Sequence, residues 1–145
     1  MTTMVEVEHL SKAFGRIVAV DNVSLSVKQG EVLGFLGPNG AGKTTTMRMI
    51  AGFLTPTSGT VRVCGHDVAS SPLAVKSALG YLPEGSPAYE DMSVRAFLEF
   101  IAAVRGIAPG HVAKRISEIS DQIALDAVMD RPIEVLSKGY KRRVG

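Results

Sequence analysis

Cysteine is nearly absent. Cys64 is the single one in 145 residues, so no disulfide can form within the chain, and a reducing compartment suits it. Its surroundings, TVRVCG, read as an apolar strand in which the thiol serves as a small buried hydrophobe. Neither sign of charge is in excess: 16 Lys and Arg against 14 Asp and Glu leave a net +2, too little by itself to argue for nucleic acid. Long apolar runs are missing too. The stretch around FLEFIAAV falls far short of the ~20 residues a membrane span needs. The beginning, MTTMVEVEHL, carries two Glu and no basic region, so no secretory signal peptide is expected there. His9, His66 and His111 share no metal-ligand spacing, and neither an internal repeat nor a low-complexity linker is present. Hydrophobic content of 46% with 21% charged residues excludes a disordered class. At this length one domain buries roughly 70% of its unfolded surface.

What is there divides into two patterns. From Met4 to about Pro83 the sequence is strand-rich. MVEVEHL alternates, NVSLSVKQGE alternates and then turns at Gln29-Gly30, and EVLGFLG is almost continuously apolar, the mark of a strand buried on both faces. A helix is predicted from Lys43 to about Ala51, ended by Gly52 and the TPTSG turn. GTVRVCG predicts another strand, SPLAVKSAL a short helix with Pro72 near its start, and LGYLP a further strand. From Glu84 to about Arg131 the pattern turns helical. Ser93 is placed to cap a helix whose Phe97, Phe100, Ile101 and Val104 form an apolar stripe. Val112, Ile116, Ile119 and Ile123 form a second, and both stripes are expected to be core. The final LSKGYKRRVG looks like the first turn of one more helix, with Lys138, Lys141, Arg142 and Arg143 clustered on it. That cluster reads either as a solvated helix face or as a surface for phosphate or a partner.

The strongest chemical signal is GPNGAGKTT, Gly37 to Thr45, which fits G-x-x-x-x-G-K-[ST] through Gly37, Gly42, Lys43 and Thr44. Glycines let the backbone wrap closely enough for successive N–H groups to point at phosphate oxygens. The following helix offers the positive end of its dipole. Lys43 places a full charge at the β- and γ-phosphates, and the Thr44 hydroxyl suits Mg²⁺, which takes few protein ligands. This much indicates a nucleoside triphosphate, in a GTPase, a kinase or an ATPase.

The order LSKAFG, VDNVSLSVKQGEVLGFLGPNGAGKTT, GYLPE and LSKGYKRRVG resembles the ATP-binding cassette (ABC) ATPases of membrane transporters over all 145 residues. LSKGY, where many members have LSGGQ, is similar to the exporter branch of that family. The resemblance implies an α/β fold: a P-loop NTPase core with an N-terminal antiparallel β subdomain (1–83), a Q-loop and helical subdomain (84–135), and a signature motif opening a helix (136–145). It implies ATP and Mg²⁺ as cofactors. The expected nucleotide site is Phe14, whose ring falls where the family stacks adenine, with Gly37, Pro38, Asn39, Gly40, Ala41, Gly42, Lys43, Thr44 and Thr45. Lys43 and Glu84 are the expected catalytic groups, and Thr44 and Glu84 the expected Mg²⁺ ligands. Glu84 stands where the family usually has Gln; a carboxylate can ligate Mg²⁺ but donates no hydrogen bond while ionised.

Ser137, Lys138, Gly139 and Tyr140 are the expected signature contacts, acting on a nucleotide held by a second ATP-binding subunit in a homo- or heterodimer. The region from Glu84 to the helix at Ser93 corresponds to the groove that receives a membrane-spanning subunit, and Met92 suits such an adaptable surface. Neither nucleic acid binding nor direct membrane insertion is implied. The expected location is cytoplasmic, peripheral on the inner face of the membrane. After the signature helix the family continues with a Walker B strand ending in Asp and Glu, and later a switch His. The nearest counterpart here, QIALD ending at Asp126, has too few apolar residues. The 145 residues are therefore expected to be the N-terminal part of an exporter ATPase, able to bind nucleotide and unable to hydrolyse it efficiently. The other readings are a short ATP-binding partner protein without turnover and a different P-loop enzyme such as a small kinase.

Overall fold

The computed structural model describes residues 2–85 and 88–145. The chain divides into two compact units, 1–81 and 82–145.

The first unit is built on two long strands, β1 (Thr3–Phe14) and β2 (Ile17–Lys28), joined by a tight hairpin with Gly15 in the left-handed region. They pair antiparallel from Thr3↔Lys28 to Phe14↔Ile17, with irregularities that let twelve-residue strands bend. At two successive ones, His9 and Asn22 each take φ of 50°. Their side chains are linked by a 2.9 Å hydrogen bond between His9 Nδ1 and Asn22 Oδ1. The Ser24 hydroxyl accepts from His9 N and the Ser11 hydroxyl from Asn22 N, so amides displaced from the ladder still find acceptors. Beyond β1 lie β3 (Ser58–Val63) and β4 (His66–Asp67), giving the antiparallel order β2-β1-β3-β4. Helices α1 (Lys43–Ile50) and α2 (Pro72–Ala78) complete the unit. Val7, Leu10, Val20, Met49, Ile50, Val61, Val63 and Val75 close its core. Cys64 lies at the β3–β4 turn with φ of 50° and is only partly buried, rather than sitting inside a strand.

Two predicted strands do not form. Residues 31–36 carry no ladder, and Val32 and Leu36 are 95% and 94% exposed. Residues 79–83 are likewise irregular. A strand buried on both faces takes its hydrogen bonds from neighbours on each side. Among the described residues the four strands pair only with one another, and none pairs with residues 31–36.

The second unit contains α3 (Val94–Val104), α4 (Pro109–Ile123) and α5 (Lys138–Val144), with 3₁₀ turns at Asp126–Val128 and Ile133–Val135. Ser93 caps α3 as the sequence suggests, its hydroxyl accepting from Ala96 N at 3.2 Å. The α3 stripe is only half right. Phe97 is buried, whereas Phe100, Ile101 and Val104 are exposed, and the buried face runs through Val94, Phe97 and Ala102. In α4, Ile116 is buried, Val112 and Ile119 are half-buried, and Ile123 is exposed. The core of this unit unites Val94, Phe97 and Ile116 with Leu125, Val128, Met129, Ile133, Leu136 and Val144. Leu136, the first residue of LSKGY, and Val144, four beyond its last, anchor α5 to that core. Asp126 opens a 3₁₀ turn and accepts a 2.5 Å bond from the buried Ser120 hydroxyl, so QIALD ends on no strand.

Candidate functional site

Residues 37–42 form the turn that leads into α1. Gly40 and Gly42 have φ of 83° and 84°, the left-handed region that favours glycine. Gly42 is also the N-cap of α1 and lies against β2. A Cβ placed there would stand 2.3 Å from the Ala19 carbonyl oxygen and 3.0 Å from Val20 Cγ2. The loop is thus held against the sheet by a contact only glycine permits. As a cap, Gly42 brings no side-chain acceptor, and the first turn of α1 holds no carboxylate. The Thr46 amide and hydroxyl both donate to Gly42 O, at 2.8 and 3.0 Å. The amides before Thr46 remain available for an anion at the positive end of the dipole.

Lys43 opens α1 and folds back over the turn. Its Nζ donates to Gly37 O at 2.5 Å and to Pro38 O at 2.6 Å, while Ala41 N donates to Pro38 O at 3.3 Å. One cation, the turn's backbone and an uncapped helix start therefore converge. The Thr44 hydroxyl lies on an exposed residue of the same first turn, and Thr45 is half-buried beside it. Donor chemistry of this kind fits a polyphosphate, whose oxygens accept from N–H groups and whose charge an ammonium matches.

Phe14 belongs to the same unit, at the β1–β2 hairpin. Its ring is half-exposed, and Lys12 Nζ stands 5.1 Å from the ring centroid while donating to Thr55 O at 2.8 Å. The residues facing Phe14 across the hairpin lead directly into Ala19 and Val20, against which Gly42 rests. The sequence did not single out Ala19, Val20 or Lys12. Ala19 and Val20 act where a strand meets the loop more than twenty positions on, and Lys12 is held by Thr55 O 43 positions away, contacts that no local pattern encodes.

The remaining expected residues lie in the second unit. Glu84 is exposed on a turn with Gly85. Ser137 is the N-cap of α5, its Oγ accepting from Tyr140 N at 3.3 Å and its carbonyl from Lys141 N at 2.9 Å. Lys138 and Gly139 are exposed and Tyr140 is half-buried against the core, with the Arg143 guanidinium 5.1 Å from its ring centroid. Gly85, Leu136, Lys138, Lys141 and Arg142 line a cavity of about 290 Å³. Of the basic cluster, Lys141 pairs with Glu90 at 2.8 Å and Arg143 donates to Ala124 O at 3.4 Å. Glu90, 51 positions from its partner, was not legible as a site residue from sequence. Among the described residues no helix is long and apolar enough to cross a membrane, and no cluster of His, Cys, Asp and Glu could hold a metal ion.

Comparison with known proteins shows the family. The family described as ABC transporter matches residues 20–145. The chain is 37% identical to "Probable multidrug ABC transporter ATP-binding protein YbhF" of Escherichia coli, over 98% of its own length and 25% of that protein. It is 34% identical to "Nod factor export ATP-binding protein I" of Cupriavidus metallidurans, over 99% of its own length and 48% of that protein. A solved structure titled "Structure of ATP binding subunit of ABC transporter" superposes with a TM-score of 0.88 at 27% identity, across 98% of this chain and 59% of that one. The chain thus spans between a quarter and somewhat over half of the length of these three proteins. By sequence, fold and loop it belongs to the ABC transporter family, as its ATP-binding domain.

Proposed function

We propose that this chain is the nucleotide-binding part of an exporter ATPase, in which residues 37–45 hold the phosphates of ATP. The observation that carries the reading is the α1 start. A left-handed Gly42 leaves the first helical amides uncapped, and Lys43 reaches back over the same turn to Gly37 and Pro38. On binding, Lys43 Nζ exchanges two carbonyl acceptors for phosphate oxygens, and the α1 amides complete the cradle. Thr44 is the proposed hydroxyl ligand for Mg²⁺, which when bound neutralises phosphate charge. Phe14 supplies a half-exposed aromatic face for the base.

In the longer protein that the relatives' lengths suggest, ATP hydrolysis would drive export through a membrane-spanning subunit, at the cytoplasmic face of the membrane. Ser137 to Tyr140 would meet the nucleotide of a second ATP-binding subunit. The 145 residues by themselves are proposed to bind ATP with negligible turnover. Asp126, the carboxylate the sequence offers at the end of an apolar run, opens a 3₁₀ turn in the second unit rather than ending a strand. Lys43→Ala tests the reading. Calorimetric titration is expected to show ATP binding lost at least about a hundredfold, the scale of a charge-assisted phosphate contact, with circular dichroism unchanged. Retained binding would overturn the assignment.

A further inference from the structure

The signature segment is held at both ends by one residue. Glu90 O accepts the amide of Glu134 at 2.9 Å, in the 3₁₀ turn just before Ser137. The Glu90 carboxylate reaches Lys141 Nζ at 2.8 Å, in α5 just after it. The neighbouring backbone extends the first attachment. Ile133 N donates to Met92 O at 3.0 Å, Val94 N to Arg131 O at 3.2 Å, and Ser93 bridges antiparallel to Pro132. Leu136 just before α5, with Tyr140 and Val144 on it, seats the helix on the core by its apolar side, and Arg143 adds a 3.4 Å bond to Ala124 O near its end. An ion pair with a hydrogen-bonding ammonium has direction. Lys141 is also the better buried partner, its side chain 30% exposed against 66% for Glu90.

We propose that Glu90 is a positioning residue for the signature: through Glu134 N and Lys141 Nζ it fixes how α5 turns the Ser137 hydroxyl and the amides after it toward their ligand. The functional half of this statement rests on the proposed role of Ser137 to Tyr140; the geometric half does not. Glu90 touches no reacting group, so its loss should loosen the motif without altering the Lys43 loop. Tyr89, the preceding residue, packs edge-on against Phe97 and Phe100 at 6.4 and 5.5 Å. The backbone that carries Glu90 is therefore set by α3.

The test uses the 145-residue chain with Glu90→Gln, Lys141→Gln, the double variant and the charge swap E90K/K141E. Amide hydrogen exchange is read in the peptide covering 137–145 and in α3. Each single variant is expected to speed exchange in the signature peptide by roughly threefold to tenfold, the effect of one lost charge-assisted bond, with α3 unchanged. The double variant should add little to either single, and the swap should restore protection. Unchanged exchange in Glu90→Gln, or a swap that fails to rescue, overturns the proposal. Self-association at saturating ATP provides the functional reading. E90Q should weaken it and the swap restore it, with ATP affinity of the monomer unaltered. If Ser137→Ala leaves association unchanged, the role assigned to the signature fails, while the exchange data still decide the geometry.

Discussion

Gly42 does two things that no other residue can do together. It takes φ of 84° at the head of α1, and its missing side chain lets the turn lie on the Ala19 carbonyl. Gly42→Ala meets both obstacles, a left-handed backbone and a 2.3 Å clash against main chain that cannot swing away. The backbone strain alone costs about 1–3 kcal/mol. Urea unfolding should show at least that loss, and ATP titration should show weakened binding, because the loop must move off β2. Asp67 illustrates a different residue-scale effect. The Ser70 amide, the Ser70 hydroxyl and the Ala69 amide donate to its Oδ1 at 2.9, 3.2 and 3.0 Å, and Arg62 lies nearby. Led by the Ser70 amide, these contacts hold its pKa below the ordinary aspartate value. The folded state therefore binds this proton less readily than the unfolded chain does. Its contribution to stability is complete above the ordinary value of about 3.9 and is lost as pH falls through the lower folded value. Asp130, lowered by its hydrogen bond and charge interaction with Arg95, follows the same sign. Urea midpoints taken from pH 5 downward should fall less steeply in Asp67→Asn, which keeps an acceptor but cannot titrate.

Caps and turns were the elements most legible in the sequence, because they are decided within a few residues. Ser93 before an apolar run, Pro72 in the first turn of α2 and Gly52 after α1 all lie where local chemistry puts them. Removing the Ser93 hydroxyl strips Ala96 N of its acceptor, and Ser93→Ala should destabilise the second unit by about 1 kcal/mol in urea unfolding. Burial was less legible. Phe100 and Val104 share the stripe of Phe97 by helical spacing, yet the Leu125 to Ile133 segment that forms the core covers the Val94–Phe97 end of the face instead. Spacing reports which residues align along a helix, whereas packing depends on what arrives from elsewhere in the chain. The same reasoning explains residues 31–36. An apolar run carries strand propensity, but a ladder requires partners, and the four strands among the described residues pair only with one another.

At the scale of the molecule, each unit has its own core, and the expected residues divide between them. Phe14 and residues 37–45 belong to the first, Glu84 and Ser137 to Tyr140 to the second. The P-loop was readable because its spacing encodes a single backbone shape. Family membership was readable because four motifs recur in one order, and the match over residues 20–145 bears this out. What could not be read were the supports: Ala19 beneath Gly42, Lys12 on Thr55 O and Glu90 on Lys141, each joining distant positions. The central claim is that residues 37–45 recognise a chain of phosphates. Calorimetric titration of the 145-residue protein with ATP and with AMP, each in the presence of Mg²⁺, tests it most directly. ATP should bind and AMP should give no measurable heat, since Lys43 and the α1 amides address the phosphates beyond the first. Equal binding of AMP, or no binding of ATP, would contradict the account.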